Sequence, residues 1–177
     1  TQDSKYWKKG DIFLSLRSLS MILHYRPSNN ELIKVIHGPF FRQHDVDIIS
    51  DNEISIFNNN YINIEEILTT KNSSNSQIVI YNYETDKFYQ KYPETVANIN
   101  LDTEYAGLVD HLDDGSIIVE ENQGGRLLLI DNLGNLEWEY VNKNNEGTVF
   151  LLNWSRIIKD KDLIKNIYNL IDKKECI

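Results

Sequence analysis

Three short stretches constrain this chain more than any other feature: "KKGDIFLSL", "ISDNEISIF" and "LDDGSIIVE" each set an Asp-containing turn before an alternating isoleucine strand. Asp, Asn and Gly favour such turns because their side chains hydrogen-bond nearby backbone or because they tolerate left-handed φ. The marker residues Ile12, Ile54 and Ile117 stand 42 and then 63 residues apart. The first interval is the length of one four-stranded repeat in a radially repeated β architecture. The excess in the second lies between Asn58 and Gln77, an Asn/Ser-rich stretch expected to leave the core as a surface excursion.

Around these markers, β-branched and aromatic runs bounded by turn residues predict strands at 12–16, 21–25, 32–36, 44–49, 53–57, 77–83, 88–92, 105–112, 116–120, 126–131 and 136–140. The expected fold is all-β: a partial β-propeller of about three four-stranded antiparallel blades with a C-terminal α-helix. Residues 1–158 hold the blades: an incomplete first blade at 11–36 lacking its first strand, a second at 44–92 with the insertion 58–77, and a third at 105–140. Two and three-quarter blades cannot close a ring, so missing blades are expected from the same longer chain or a partner subunit. Residues 159–177 form a helix and tail. In "DKDLIKNIYNLIDKK", Leu163, Ile164, Ile167, Tyr168, Leu170 and Ile171 fall on one helical face, Asp160 or Asp162 can cap its start, and the helix is expected to pack on the sheets.

Charge excludes one class of partner. With 27 acidic against 18 basic side chains and no basic cluster, the chain would repel nucleic acid. No apolar run approaches the roughly 20 residues that span a bilayer, so no transmembrane segment is expected. Cys176 is the one cysteine, which excludes an intrachain disulfide, and no histidine pair has metal-ligand spacing; neither a metal nor a cofactor is expected.

The polar residues concentrate in "GPFFRQHDVDII", where Arg42, Gln43, His44 and Asp45 open a strand. Together with "GDIFLSLRSLSMILHY" and "GGRLLLIDNLGNLEWEYVN", this segment resembles the bacterial arylsulfotransferase-like propeller family across most of residues 10–158. The matching features are an Arg after the "GDI" strand, a Gly-Pro, a Gln-His-Asp that opens a strand, and Gly-Arg, Asp-x-x-Gly and Trp-Glu-Tyr in the next blade. The resemblance implies a propeller with a polar site at its central channel. It also implies transfer of a sulfuryl group from an aryl sulfate to a phenol through a histidine, and a periplasmic or extracellular location. Carried over, His44 is the candidate catalytic residue, and Arg17, Arg42, Gln43 and Asn58 are candidates for substrate binding. A small aromatic or sulfated molecule is the implied partner. The alternative function is a non-catalytic propeller that binds a small anionic or aromatic ligand or a protein.

Alternation from His44 predicts His44, Val46 and Ile48 on one face and Asp45, Asp47 and Ile49 on the other. His24 and His37 are expected at surface or turn positions, and His111 in a structural role. Asp113, Asp114 and Asp131 are expected to form turns. Glu120 and Glu121, adjacent on a strand, should face opposite ways and so make a poor acid/base couple. Arg126 should reach a neighbouring carboxylate. Trp138 is expected to pack on an outer strand. Asn72 and Asn153 open glycosylation-type triplets of the kind an Asn-rich chain produces by chance.

Overall fold

The computed structural model of the chain describes residues 3–61 and 75–171. Among them the chain is mostly β, with three antiparallel sheets laid down in sequence order. The first holds β1 (Ile12–Leu16), β2 (Met21–Arg26) and β3 (Glu31–His37). The second holds β4 (His44–Ile48), β5 (Glu53–Asn58), β6 (Gln77–Asn82) and β7 (Lys87–Gln90). The third holds β8 (Leu108–His111), β9 (Ile117–Glu121), β10 (Arg126–Ile130) and β11 (Leu136–Val141). Each sheet pairs neighbours in chain order, and every pairing is antiparallel. Most of the expected insertion, with Asn72, lies outside the described residues, as does Cys176.

The aspartates act at the turns as their positions suggest. Asp114 Oδ1 accepts the Ser116 N–H at 3.0 Å, and Asp131 Oδ1 accepts those of Leu133 and Asn135 at 2.9 and 2.7 Å. Such bonds close a turn before the strand begins and so fix the register that follows.

Alternation then divides the apolar residues of the middle sheet between two cores. Ile54, Ile56, Val79 and Tyr81 point to the first sheet, where they meet Ile22, Ile36, Phe40 and Trp7. Phe57, Ile78 and Ile80 point to the third, against Val109, Ile117, Val119, Leu128 and Ile130. The sheets therefore stack in series through two hydrophobic layers, with the middle one buried on both faces. β1 lies against β4 as β5 lies against β8. The three-stranded sheet thus begins at the equivalent of the second strand of the others.

Three local features differ from expectation. His24 is fully buried between the first two sheets: it is stacked on Phe13, and its Nε2 is 2.9 Å from Asp11, which also pairs with Arg26. Its position on β2 turns it inward, between Ile22 and Arg26 on the same face. A short helix α1 (Pro93–Asn98) follows β7, started by Pro93 and anchored by buried Val96. The terminal helix α2 (Lys161–Ile171) forms, with Asp160 Oδ1 accepting the Asp162 and Leu163 N–H groups, but none of its residues is buried. It is not packed on the sheets: the expected apolar stripe is present, yet Leu163, Tyr168, Leu170 and Ile171 are exposed.

Candidate functional site

The strand that carries His44 is bulged at its start. His44 pairs with Phe57 and Val46 with Ile56, leaving Asp45 as the extra residue, at φ 45°. Opposite residues in an antiparallel pair share a face, so the bulge sets His44 on the side of Phe57, Ser55 and Asp47, facing the third sheet. Simple alternation would have aligned it with Val46 and Ile48, which face the first.

His44 is half-buried, and its Nδ1 lies 2.5 Å from Asn59 Oδ1. The fully enclosed Asn59 donates its amide hydrogens to the carbonyls of Thr103 and Ala106 at 2.8 and 2.7 Å. Those two carbonyls can only accept, so the amide orientation is fixed and Oδ1 must face the imidazole. The neutral ring then carries its proton on Nδ1 and its lone pair on Nε2. Burial lowers the His44 pKa below its ordinary value; the Asn59 bond opposes this and the Arg17 charge adds to it.

The other candidates divide into two groups. Arg17 and Arg42 belong with His44: Arg17 lies over the Tyr105 ring at 5.5 Å and donates to the Glu104 carbonyl at 3.2 Å, and Arg42 lies over Tyr61 at 5.5 Å. The buried Arg17 Nε has no hydrogen-bond partner among the described residues. Gln43 and Asn58 are buried framework. Gln43 Nε2 donates to Ser15 Oγ and the Met21 carbonyl, at 3.2 and 2.9 Å, and its Oε1 has no partner among the described residues. Asn58 Oδ1 accepts from the Phe41 and Asn60 N–H groups, while its amide donates to Gln77 Oε1 at 2.9 Å and reaches the Pro39 carbonyl.

Several members of this cluster gave little signal in sequence. Glu104 and Tyr105 lie some sixty residues from His44, on the connection before β8, where Gln123 Oε1 holds the Thr103 hydroxyl and the Glu104 and Tyr105 N–H groups. Beside the cluster, the Asp45 carboxylate accepts the Val109 N–H at 2.7 Å, joining the second and third sheets. Burial pushes its pKa up to about 7 despite that bond, with Asp47 and Asp110 adding to the rise and Arg156 opposing it.

The remaining histidines do not join His44. His111 Nε2 meets Ser55 Oγ at 2.8 Å, and burial lowers its pKa to about 4, in keeping with the structural role expected of it. His37 ends β3 on the surface. Glu120 and Glu121 do diverge: Glu120 accepts the Ser155 N–H at 2.6 Å, and Glu121 pairs with Arg126 at 2.5 Å. Among the described residues, no group of three or more metal-ligating side chains could hold an ion, and no helix is long and apolar enough to cross a membrane.

The stack of antiparallel sheets thus brings an imidazole and two guanidiniums into one polar cluster. Residues 2–143 match the arylsulfotransferase (ASST) family, and the chain belongs to it. No curated protein matches the chain.

Proposed function

We propose that the three sheets are consecutive blades of a β-propeller, and that Arg17, Arg42 and His44 receive the sulfate of an aryl sulfate at its hub. The carrying observation is Asn59: by holding the Nδ1 proton of His44, it leaves Nε2 as a nucleophile beside a guanidinium. Arg17 and Arg42 match the charge on the non-bridging sulfate oxygens, and Tyr61 and Tyr105 offer ring faces to the aryl group.

In transfer, Nε2 attacks sulfur, the N–S bond forms, and the S–O bond to the aryl group breaks with its electron pair leaving on the phenolate. Asn59 Oδ1 stabilises the positive ring through the Nδ1–H. The acceptor phenol then attacks sulfur, the N–S bond breaks, and the proton that the acceptor gives up balances the one the phenolate takes. Gln43 and Asn58 position the segment rather than touch substrate. Family membership favours a periplasmic or extracellular site of action.

A second reading, binding without turnover, is favoured by the separation of His24, His37 and His111 from His44, which leaves no second imidazole to protonate the leaving phenolate among the described residues. The two readings part on incubation with 4-nitrophenyl sulfate and a phenolic acceptor. Catalysis requires nitrophenol release that His44→Ala abolishes; release no faster than with that variant, alongside retained binding, assigns the site to binding alone.

A further inference from the structure

Transfer through His44 leaves one proton without a carrier. The departing phenolate takes it and the acceptor phenol gives it up, but His24, His37 and His111 all lie apart from His44 among the described residues. The connection before β8 places another group there. Asn59, which fixes the His44 ring, donates to the carbonyls of Thr103 and Ala106, and Tyr105 stands between those two anchors. One guanidinium serves both side chains: Arg17 lies over the Tyr105 ring at 5.5 Å, and its charge acts on the His44 imidazole.

Tyr105 is held by its backbone while its ring stays out of the core. Its carbonyl accepts the Thr103 hydroxyl at 2.7 Å, its N–H reaches Gln123 Oε1 at 3.3 Å, and the adjoining Glu104 carbonyl accepts from Arg17 at 3.2 Å. Ala106, next along, takes a left-handed φ of 55°, which residues with a Cβ rarely adopt and which persists only where the surroundings impose it. Yet the Tyr105 side chain is 51% exposed. An anchored backbone thus presents a phenol hydroxyl at the site instead of burying an aromatic ring. The charges around that hydroxyl suit a reversible proton. The Glu104 carboxylate raises its pKa and so keeps it protonated at rest, whereas Arg17 and Arg42 oppose the rise and favour the tyrosinate once the proton has gone.

We propose that Tyr105 is a catalytic residue of the transfer, carrying one proton from the acceptor phenol to the departing one. This rests on the transfer reading above and supplies its missing proton carrier. As the S–O bond breaks, the Tyr105 hydroxyl gives its proton to the aryl oxygen, the phenol departs, and the tyrosinate faces the two guanidiniums. When the acceptor oxygen attacks sulfur, the tyrosinate takes the acceptor's proton and the N–S electron pair returns to Nε2, so both residues end as they began. A tyrosine, ordinarily near pKa 10, is matched to the phenols with which it exchanges the proton. Glu104 and Arg17 act through it as positioning residues.

Loss of a proton donor slows poor leaving groups most. Donor kcat/KM is measured with phenyl sulfate, whose phenolate needs the proton, and with 4-nitrophenyl sulfate, whose weakly basic phenolate leaves without it, at one fixed phenolic acceptor. In Tyr105→Phe, which keeps the ring, the value for phenyl sulfate should fall roughly 100-fold and that for 4-nitrophenyl sulfate less than about tenfold. Tyr61→Phe and Asp45→Asn alter the other two proton-bearing groups beside the cluster and should change both sulfates by similar factors. Equal losses for the two sulfates in Tyr105→Phe mark a structural role and overturn the assignment, as does no loss at all. A loss selective for phenyl sulfate that is as large in Tyr61→Phe or Asp45→Asn as in Tyr105→Phe overturns it too. Nitrophenol release that requires His44 but is indifferent to Tyr105 with both sulfates refutes this assignment alone; a parent protein that releases none above His44→Ala refutes the transfer reading, and the assignment with it.

Discussion

Replacing Asp45 with Asn tests whether the contact between the second and third sheets is built at an electrostatic cost. The carboxyl is raised from 3.8 to about 7, chiefly by burial, and roughly three units at 1.36 kcal/mol each amount to about 4 kcal/mol. The folded protein holds this proton more tightly than the unfolded chain. The cost is therefore absent below the unfolded value, grows as pH rises, and is fully present above the folded one. Asp45→Asn keeps an oxygen to accept the Val109 N–H and removes the charge; the benefit of charge in that bond is already contained in the pKa. Asn also suits the left-handed φ of 45°, but that gain does not change with pH. Urea unfolding of both proteins at pH 4, 5.5 and 8, with equal m-values, isolates the charge. The stability advantage of the variant should widen by up to about 4 kcal/mol between pH 4 and pH 8. An advantage that stays flat across this range, or narrows, would refute the reasoning.

Asp11→Ala should destabilise the protein by about 3 kcal/mol at neutral pH, measured by denaturant unfolding, because it strands buried His24 and largely buried Arg26 without their shared carboxylate. The pKa of Asp11 is held far below its ordinary value, first by the Arg26 hydrogen bonds, so its contribution is full above the unfolded value of 3.8 and lost as pH falls toward the folded one; the gap between variant and parent should shrink in acid. Gly107→Ala should lower stability by about 2 kcal/mol, since φ is 104° and a Cβ would overlap the Phe57 ring; Phe57→Leu in the same chain should recover part of the loss in thermal melts. Asn59→Ala removes three hydrogen bonds and takes from the Ala106 carbonyl its Asn59 donor, while the Thr103 carbonyl keeps the Ser76 hydroxyl, so it should cost about 2 kcal/mol and, if His44 is a nucleophile, slow nitrophenol release more than it weakens substrate binding.

The eleven strands among the described residues were legible because turn chemistry and alternation are local: the Asp of "LDDGS" closes its turn within three residues, and Ile117 and Val119 show their shared face by spacing alone. What depended on distant partners was not legible. His24 looked like a strand-end residue until Asp11, Arg26 and Tyr83 surrounded it, and the stripe of α2 predicted a packed helix that the sheets do not cover. The site shows the same division most sharply. "RQHD" announced where polar chemistry would gather, but alternation put His44 beside Val46, on the side of the first sheet. One extra residue, Asp45, reverses this by bulging the strand and turning the imidazole to Asn59, whose own orientation is set by carbonyls more than forty residues away. The residue that creates the bulge is also the one whose carboxylate reaches Val109 across the sheet junction. A single irregular position thus aims the histidine and ties the second sheet to the third. Restoring regular pairing by deleting Asp45 should therefore remove His44 from Asn59 and loosen the same junction together, an outcome that neither the hydrophobic pattern nor the motif alone would anticipate.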